Sequence, residues 1–126
     1  LAMAGAELII NPTMTPTKDR DIETIMVRAT AAQQQCFYID INGSGEQGNG
    51  KSLICDYEGS ILDFAENERK IFEVEIDFEL VRKARTNGFM GLGQPIKSFR
   101  DNPFNPIKDF NKEYLKSLGE LKRSKD

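Results

Sequence analysis

Apolar and polar positions change their spacing several times along this chain, and each change marks an element. Leu1 to Ala4 reads as the last turn of a helix, with Gly5 just past its end, where a left-handed residue is needed. Ala6 to Ile10 is apolar on both faces, the pattern of a central strand covered from two sides, and Asn11-Pro12 is expected to end it because proline cannot continue a ladder. After a loop from Thr13 to Thr17, Asp19, Asp21 and Glu23 crowd the first turns of a helix, where the dipole favours negative charge. Ile22, Ile25, Met26, Ala29 and Ala32 recur at helical spacing and predict the face that packs on a sheet. From Cys36 to Asn42 the period becomes two, with Phe37, Ile39 and Ile41 on one face and Tyr38, Asp40 and Asn42 on the other. Turn chemistry from Asp56 to Gly59 joins Ser52 to Cys55 with Ile61 to Phe64 as a hairpin. Phe72, Val74 and Ile76 alternate with Glu73, Glu75 and Asp77 as in another half-buried strand, and Phe78 to Arg85 fits a short helix stopped by Asn87-Gly88.

This order predicts an α/β (α+β) domain over residues 1–87, a mixed sheet with helices on one face. Residues 88–126 read differently. Beyond Gly88, three glycines, three prolines and unperiodic large apolar residues predict an extended arm, ending in a short helix from Asn111 to Leu118 with Gly119 as its stop. Phe89, Phe99, Phe104 and Phe110 would not float in water, so the arm 89–110 is expected to lie on a second subunit of a homodimer or larger homo-oligomer, with Phe99 and Phe104 among its anchors.

Composition narrows the chemistry. At 126 residues, 39% hydrophobic and a net charge of −3 with both signs interspersed, the chain offers one domain and no basic face for nucleic acid, and no apolar run is long enough to span a membrane. It contains no histidine, which removes the commonest metal ligand and general base, and no metal or cofactor is expected. Cys36 and Cys55 lie in apolar strands without a basic neighbour, the setting of inert thiols in a reduced, cytoplasmic protein. Without an initiating methionine and with a helix under way at Leu1, the chain reads as the later part of a longer polypeptide.

The glycine-rich loop from Gly43 to Lys51 carries two readings. Gly45 to Ser52 spells G-x-x-x-x-G-K-[ST], which places backbone amides around phosphates when it opens a helix. Only Leu53-Ile54-Cys55 follow before the next turn, so a mobile connection between antiparallel strands is the better reading and a nucleotide site at 45–52 the lesser one.

The same residues in another frame, Gly50-Lys51-Ser52-Leu53-Ile54-Cys55-Asp56-Tyr57-Glu58-Gly59-Ser60-Ile61-Leu62, resemble the G-x-S-x-I-x-D-x-x-G-x-[IV]-L segment of the carbon-nitrogen hydrolase (nitrilase) superfamily. Three further segments agree in the family's order. Gly5 to Thr13 resembles the strand after the nucleophile. Val27-Arg28-Ala29-Thr30-Ala31 resembles the A-R-A helix, with Gln34-Gln35 where the family usually has Glu-Asn. Val74 to Arg85 resembles the last strand and its departing helix.

The resemblance implies half of an α-β-β-α sandwich, in which two such halves stack sheet on sheet. It implies chemistry by a cysteine nucleophile, a glutamate base and an oxyanion-stabilising lysine, all before Leu1, so that no catalytic residue is expected here. What this half would contribute is pocket wall: Asn11, Pro12, Thr13, Met14 and Thr15, with Asn42 at the neighbouring strand end. Asn11-Pro12 is equally a plain strand terminator. The function expected is the C-terminal part of a hydrolase of small amides, nitriles or carbamoyl compounds; the alternative is a non-catalytic assembly module.

Overall fold

A computed structural model describes residues 1–90, 93–102 and 112–120. A 3-10 turn at Ala2–Ala4 closes on Gly5 at φ 101°, as its spacing requires, and leads into β1 (Leu8–Thr13). Then follow α1 (Asp19–Gln34), β2 (Phe37–Asn42), β3 (Ser52–Cys55), β4 (Ile61–Ala65) and α2 (Phe78–Asn87), with α3 (Pro95–Asp101) and α4 (Lys112–Ser117) beyond. The four strands form one mixed sheet in the order β1-β2-β3-β4, β1 parallel to β2 and the rest antiparallel. The sequence-predicted fold class is the observed one, a mixed α+β sheet with helices.

Register decides which face each side chain occupies. Tyr38 pairs with Cys55 and Asp40 with Leu53, so these four share a face with Phe64, Ile9 and Asn11. Helix α1 covers that face, and Val27 and Ala31 pack on Leu53, Cys55, Tyr38 and Phe64 as the core. The opposite face carries Leu8, Ile10, Pro12, Phe37, Ile39, Ile41 and Ile54. At one end Phe37 is sealed edge-on by the rings of Tyr57 and Phe78, centroids 6.0 and 6.5 Å away. At the other end Ile10 is 63% exposed and Ile41 38%.

Several expectations give way. Strand β1 is an edge rather than a centre among the described strands, and it runs through Asn11-Pro12 to Thr13 instead of stopping there, because an edge needs no N–H from proline on its open side. The stripe Ile22, Ile25, Met26, Ala29, Ala32 points outward; the inward stripe is Arg20, Val27 and Ala31. A buried acid explains the choice, since Asp40 stands under the first turn of α1 and must face a cation. Residues 71–77 form no strand, although their burial still alternates, with Phe72, Val74 and Ile76 half-buried and the acids between them exposed.

The arm is not wholly extended either. Pro95 takes the first helical position, where its missing N–H costs nothing, and starts α3. Helix α4 lies within the stretch predicted as the terminal helix, with Gly119 at φ 76° after it. Of the proposed anchors, Phe99 sits on α3 at 49% exposure, while Phe104 and Phe110 lie outside the described residues.

Candidate active-site wall

Helix α1 begins at Asp19 beside a Thr17 hydroxyl that accepts from the Asp19 amide, and its acidic first turn contains one cation, Arg20. The Arg20 side chain is fully buried and points down onto the sheet. Its Nη1 lies 2.6 Å from Asp40 Oδ2, with both side chains at 0% exposure, and also donates to Glu23 at 3.2 Å. Nε and Nη2 donate to the Gly50 and Lys51 carbonyls at 3.2 and 2.7 Å. One guanidinium thus ties helix, sheet and glycine-rich loop together. On the far side of Asp40, Oδ1 accepts from Asn11 Nδ2 at 2.7 Å, so the network ends at β1.

The expected wall residues collect around this network. Asn42 is buried, and its side chain is used up by the protein itself: Oδ1 accepts from the Thr15 amide at 2.8 Å and the Thr13 hydroxyl at 3.2 Å, while Nδ2 donates to the Thr15 and Gly50 carbonyls and to Asn49. It acts as a clasp holding segment 13–15 against segment 49–50. Thr15 also donates to Glu23 at 2.9 Å. Met14 is 61% exposed and Pro12 exposed, so these two face outward from the clasp. A cleft of about 220 Å³ opens between β1 and α1, lined by Asn11, Thr13, Glu23, Met26, Thr30 and Tyr38. Burial pushes the Tyr38 phenol up, with the Asp40 carboxylate adding to it.

Sequence reasoning found the loop ends and missed the network that sets them. The available signal was Arg20 itself, a cation in a first turn where the helix dipole opposes one.

Neither cysteine has the setting of a nucleophile. Cys36 and Cys55 are free and fully buried, and burial raises both thiols, Cys55 to about 11. The phosphate-loop letters also lack their context. Ser52 opens a strand, not a helix, and its hydroxyl is engaged with the Asn42 main chain; the Lys51 ammonium pairs with Asp21. The loop is tied down at Gly50, where a β-carbon would stand 1.9 Å from the Glu66 carbonyl oxygen. Among the described residues no group of three or more acidic, cysteine or histidine side chains is placed to hold a metal, and no helix is long and apolar enough to cross a membrane.

Comparison with known proteins fits this geometry. The family profile of carbon-nitrogen hydrolases matches residues 1–86. A search of curated protein sequences finds no match. Among solved structures, the Caenorhabditis elegans NitFhit protein superposes with a TM-score of 0.68 at 22% identity, over 82% of this chain and 26% of its own. Saccharomyces cerevisiae Nit3, described as a member of branch 10 of the nitrilase superfamily, gives 0.61 at 22% identity over 68% and 34%. The amidase from Nesterenkonia sp. AN1, in a form carrying acrylamide added to its active-site cysteine, gives 0.56 at 20% identity over 68% and 35%. These structures share the fold, and the chain spans about a quarter to a third of their length. With the profile covering more than two thirds of the sequence, the chain belongs to the carbon-nitrogen hydrolase family.

Proposed function

We propose that this chain is the C-terminal part of a cysteine-dependent carbon-nitrogen hydrolase that acts on non-peptide C–N bonds of small amides, nitriles or carbamoyl compounds. The observation that carries the reading is the sheet face opposite α1. Ile10, Pro12 and Ile41 are exposed there, the state of a face that another sheet covers in a two-sheet sandwich. Cysteine dependence is argued from the Nesterenkonia amidase, whose active-site cysteine takes up acrylamide. The two thiols of this chain are enclosed and burial raises both, so the nucleophile is taken to come from outside it, and the family resemblance puts the glutamate base and the oxyanion lysine there as well. This half supplies the wall: Asn11, Pro12, Thr13, Met14 and Thr15 contact the small amide or nitrile, and Asn42 sets the position of Thr13 and Thr15 through its clasp. The free thiols fit a cytoplasmic protein.

Assayed alone against short amides, nitriles and carbamoyl amino acids, the 126-residue chain shows no turnover. A longer polypeptide that carries it turns over a member of the panel and loses activity when a cysteine upstream of Leu1 is replaced. Turnover by the chain alone that disappears in Cys36→Ala or Cys55→Ala would overturn the reading.

The arm 89–110 packs on a second subunit of a homo-oligomer. Its support is the exposure of Phe89 and Phe99, at 51% and 49%. Sedimentation of the longer polypeptide truncated after Gly88 tests this, and an oligomer of unchanged size shows the arm folded on its own domain instead.

A further inference from the structure

Asparagine is followed by glycine three times in this chain, at Asn42-Gly43, Asn49-Gly50 and Asn87-Gly88. Such a pair can react with itself. Glycine has no β-carbon to shield its amide nitrogen and leaves the backbone free to turn, so that nitrogen can attack the carboxamide carbon of the asparagine before it. In a folded protein the outcome depends on what holds the two groups.

At Asn42 both are held. The residue is buried, its carboxamide forms the clasp on Thr15 and Gly50, and the Gly43 amide donates to the Thr13 carbonyl at 3.1 Å. At Asn49 both are held again. Nδ2 donates to the Thr17 carbonyl at 2.7 Å, Oδ1 accepts from Asn42 Nδ2 at 3.2 Å, and the Gly50 amide donates to the Gly43 carbonyl at 3.0 Å.

Asn87 differs. It is the exposed last residue of α2, and its carboxamide bonds to nothing among the described residues. Only the Gly88 amide is engaged, donating to the Ala84 carbonyl at 2.8 Å. Attack requires the peptide between Asn87 and Gly88 to turn out of its helical orientation. At the final residue of a helix that turn breaks this bond and no other bond of α2, because the Asn87 carbonyl lies past the last amide the helix supplies. Gly88, at φ 76°, tolerates the compensating rotation that leaves Phe89 in place.

We propose that Asn87-Gly88 is a site of spontaneous covalent modification. The Gly88 nitrogen gives its proton to solvent and bonds to the Asn87 side-chain carbonyl carbon, and the side-chain nitrogen leaves as ammonia, closing a cyclic imide. Water then opens the ring. Cleavage at the side-chain carbonyl yields aspartate; cleavage at the main-chain carbonyl yields isoaspartate, with an added carbon in the backbone. The net exchange is water in and ammonia out, with no oxidant or cofactor. Either product puts a carboxylate at the C-terminal end of α2, where the helix dipole opposes it. Isoaspartate also lengthens the link from α2 to the Phe89–Gly93 bridge, at the start of the arm.

Peptide mapping by mass spectrometry tests this on the protein held at mildly alkaline pH, with the same incubation in urea as the unprotected reference. A single neutral hydrogen bond lowers the open population about tenfold or less, so conversion at Asn87 in the folded protein runs within about tenfold of its rate in urea. Asn42 and Asn49 convert at least about a hundredfold more slowly folded than in urea, since several bonds must open together. Fragmentation that separates the two acids finds isoaspartate as well as aspartate at Asn87. Asn87→Gln, whose longer side chain disfavours the ring, leaves the folded protein without product at that position. The proposal is overturned if folding protects Asn87 as strongly as Asn42 and Asn49, if aspartate alone forms there, or if Asn87→Gln converts to acid at the unaltered rate. None of these outcomes depends on the proposed hydrolase activity.

Discussion

Replacing Arg20 by methionine tests the network that organises the whole upper end of the sheet. The substitution keeps much of the side chain's apolar length and removes the charge. Asp40, at 0% exposure, keeps its bond from Asn11 but loses its cation, the Lys51 carbonyl loses the guanidinium's donor, and the Gly50 carbonyl keeps only the bond from Asn42. Breaking a buried pair from one side costs about 3–5 kcal/mol, and the two charge-assisted bonds to carbonyls would each account for about 1.5–3 kcal/mol in isolation. These contributions describe one desolvated cluster and do not add, so a loss of about 4 kcal/mol is expected. That is a large part of the roughly 5–15 kcal/mol that holds a domain folded. Urea denaturation of the protein measures it, with Asp40→Leu and the double variant completing a cycle. The double variant should recover most of the loss, because it leaves no unpaired charge. A loss below about 1 kcal/mol for Arg20→Met would mean that the pair behaves like an exposed one, and losses that simply add in the double variant would mean that the two residues are not coupled.

Two other predictions concern the loop and the thiols. Gly50→Ala should destabilise far more than an exposed loop substitution, since the backbone is at φ 69° and the added methyl meets the Glu66 carbonyl and the Asn67 Cα at 1.9 and 2.7 Å; a urea midpoint within error of the unaltered protein would contradict the tethered loop. Alkaline pH should weaken the fold. Cys55 rises from 9.0 to about 11 on folding, so the native chain keeps a proton that the unfolded chain releases, and this stabilisation is full below about pH 9 and lost as the pH climbs to 11. Its size is on the order of 2 kcal/mol, Cys36, Tyr38 and Tyr57 shift in the same direction, and a Cys55→Ala variant should show a shallower decline in urea midpoint between pH 8 and 11.

Local signals were legible in the sequence wherever one residue's own backbone preference decided the outcome. Gly5, Gly59 and Gly119 all take positive φ at the turn or stop that their spacing announced. Asp77, read from its alternation as part of a strand, instead caps α2 by accepting from the Glu79 amide at 2.8 Å. The pattern of alternation fixed the faces of β2, and the pairing of Tyr38 with Cys55 and Asp40 with Leu53 follows it. Pro95 shows how a local signal can be misread, because proline fits an extended arm and a first helical position equally well, and only the helix that follows distinguishes them.

What the sequence concealed were facts that depend on two distant segments at once. The stripe Ile22, Ile25, Met26 has a better apolar period than Arg20, Val27, Ala31, yet the second faces the sheet. The reason lies twenty residues downstream, in an aspartate whose strand position puts it under the helix start. Once Asp40 is buried there, α1 must rotate until Arg20 meets it, and the isoleucines are turned away as a consequence. The same rotation delivers the guanidinium to the Gly50 and Lys51 carbonyls, which pins the glycine-rich loop, and the Gly50 carbonyl is shared with Asn42, which fixes Thr13 and Thr15. The wall proposed to meet substrate is therefore positioned from a charge pair that touches none of its outward-facing residues. A change at Arg20 or Asp40 should consequently act on that wall as a unit, moving Thr13, Met14 and Thr15 together.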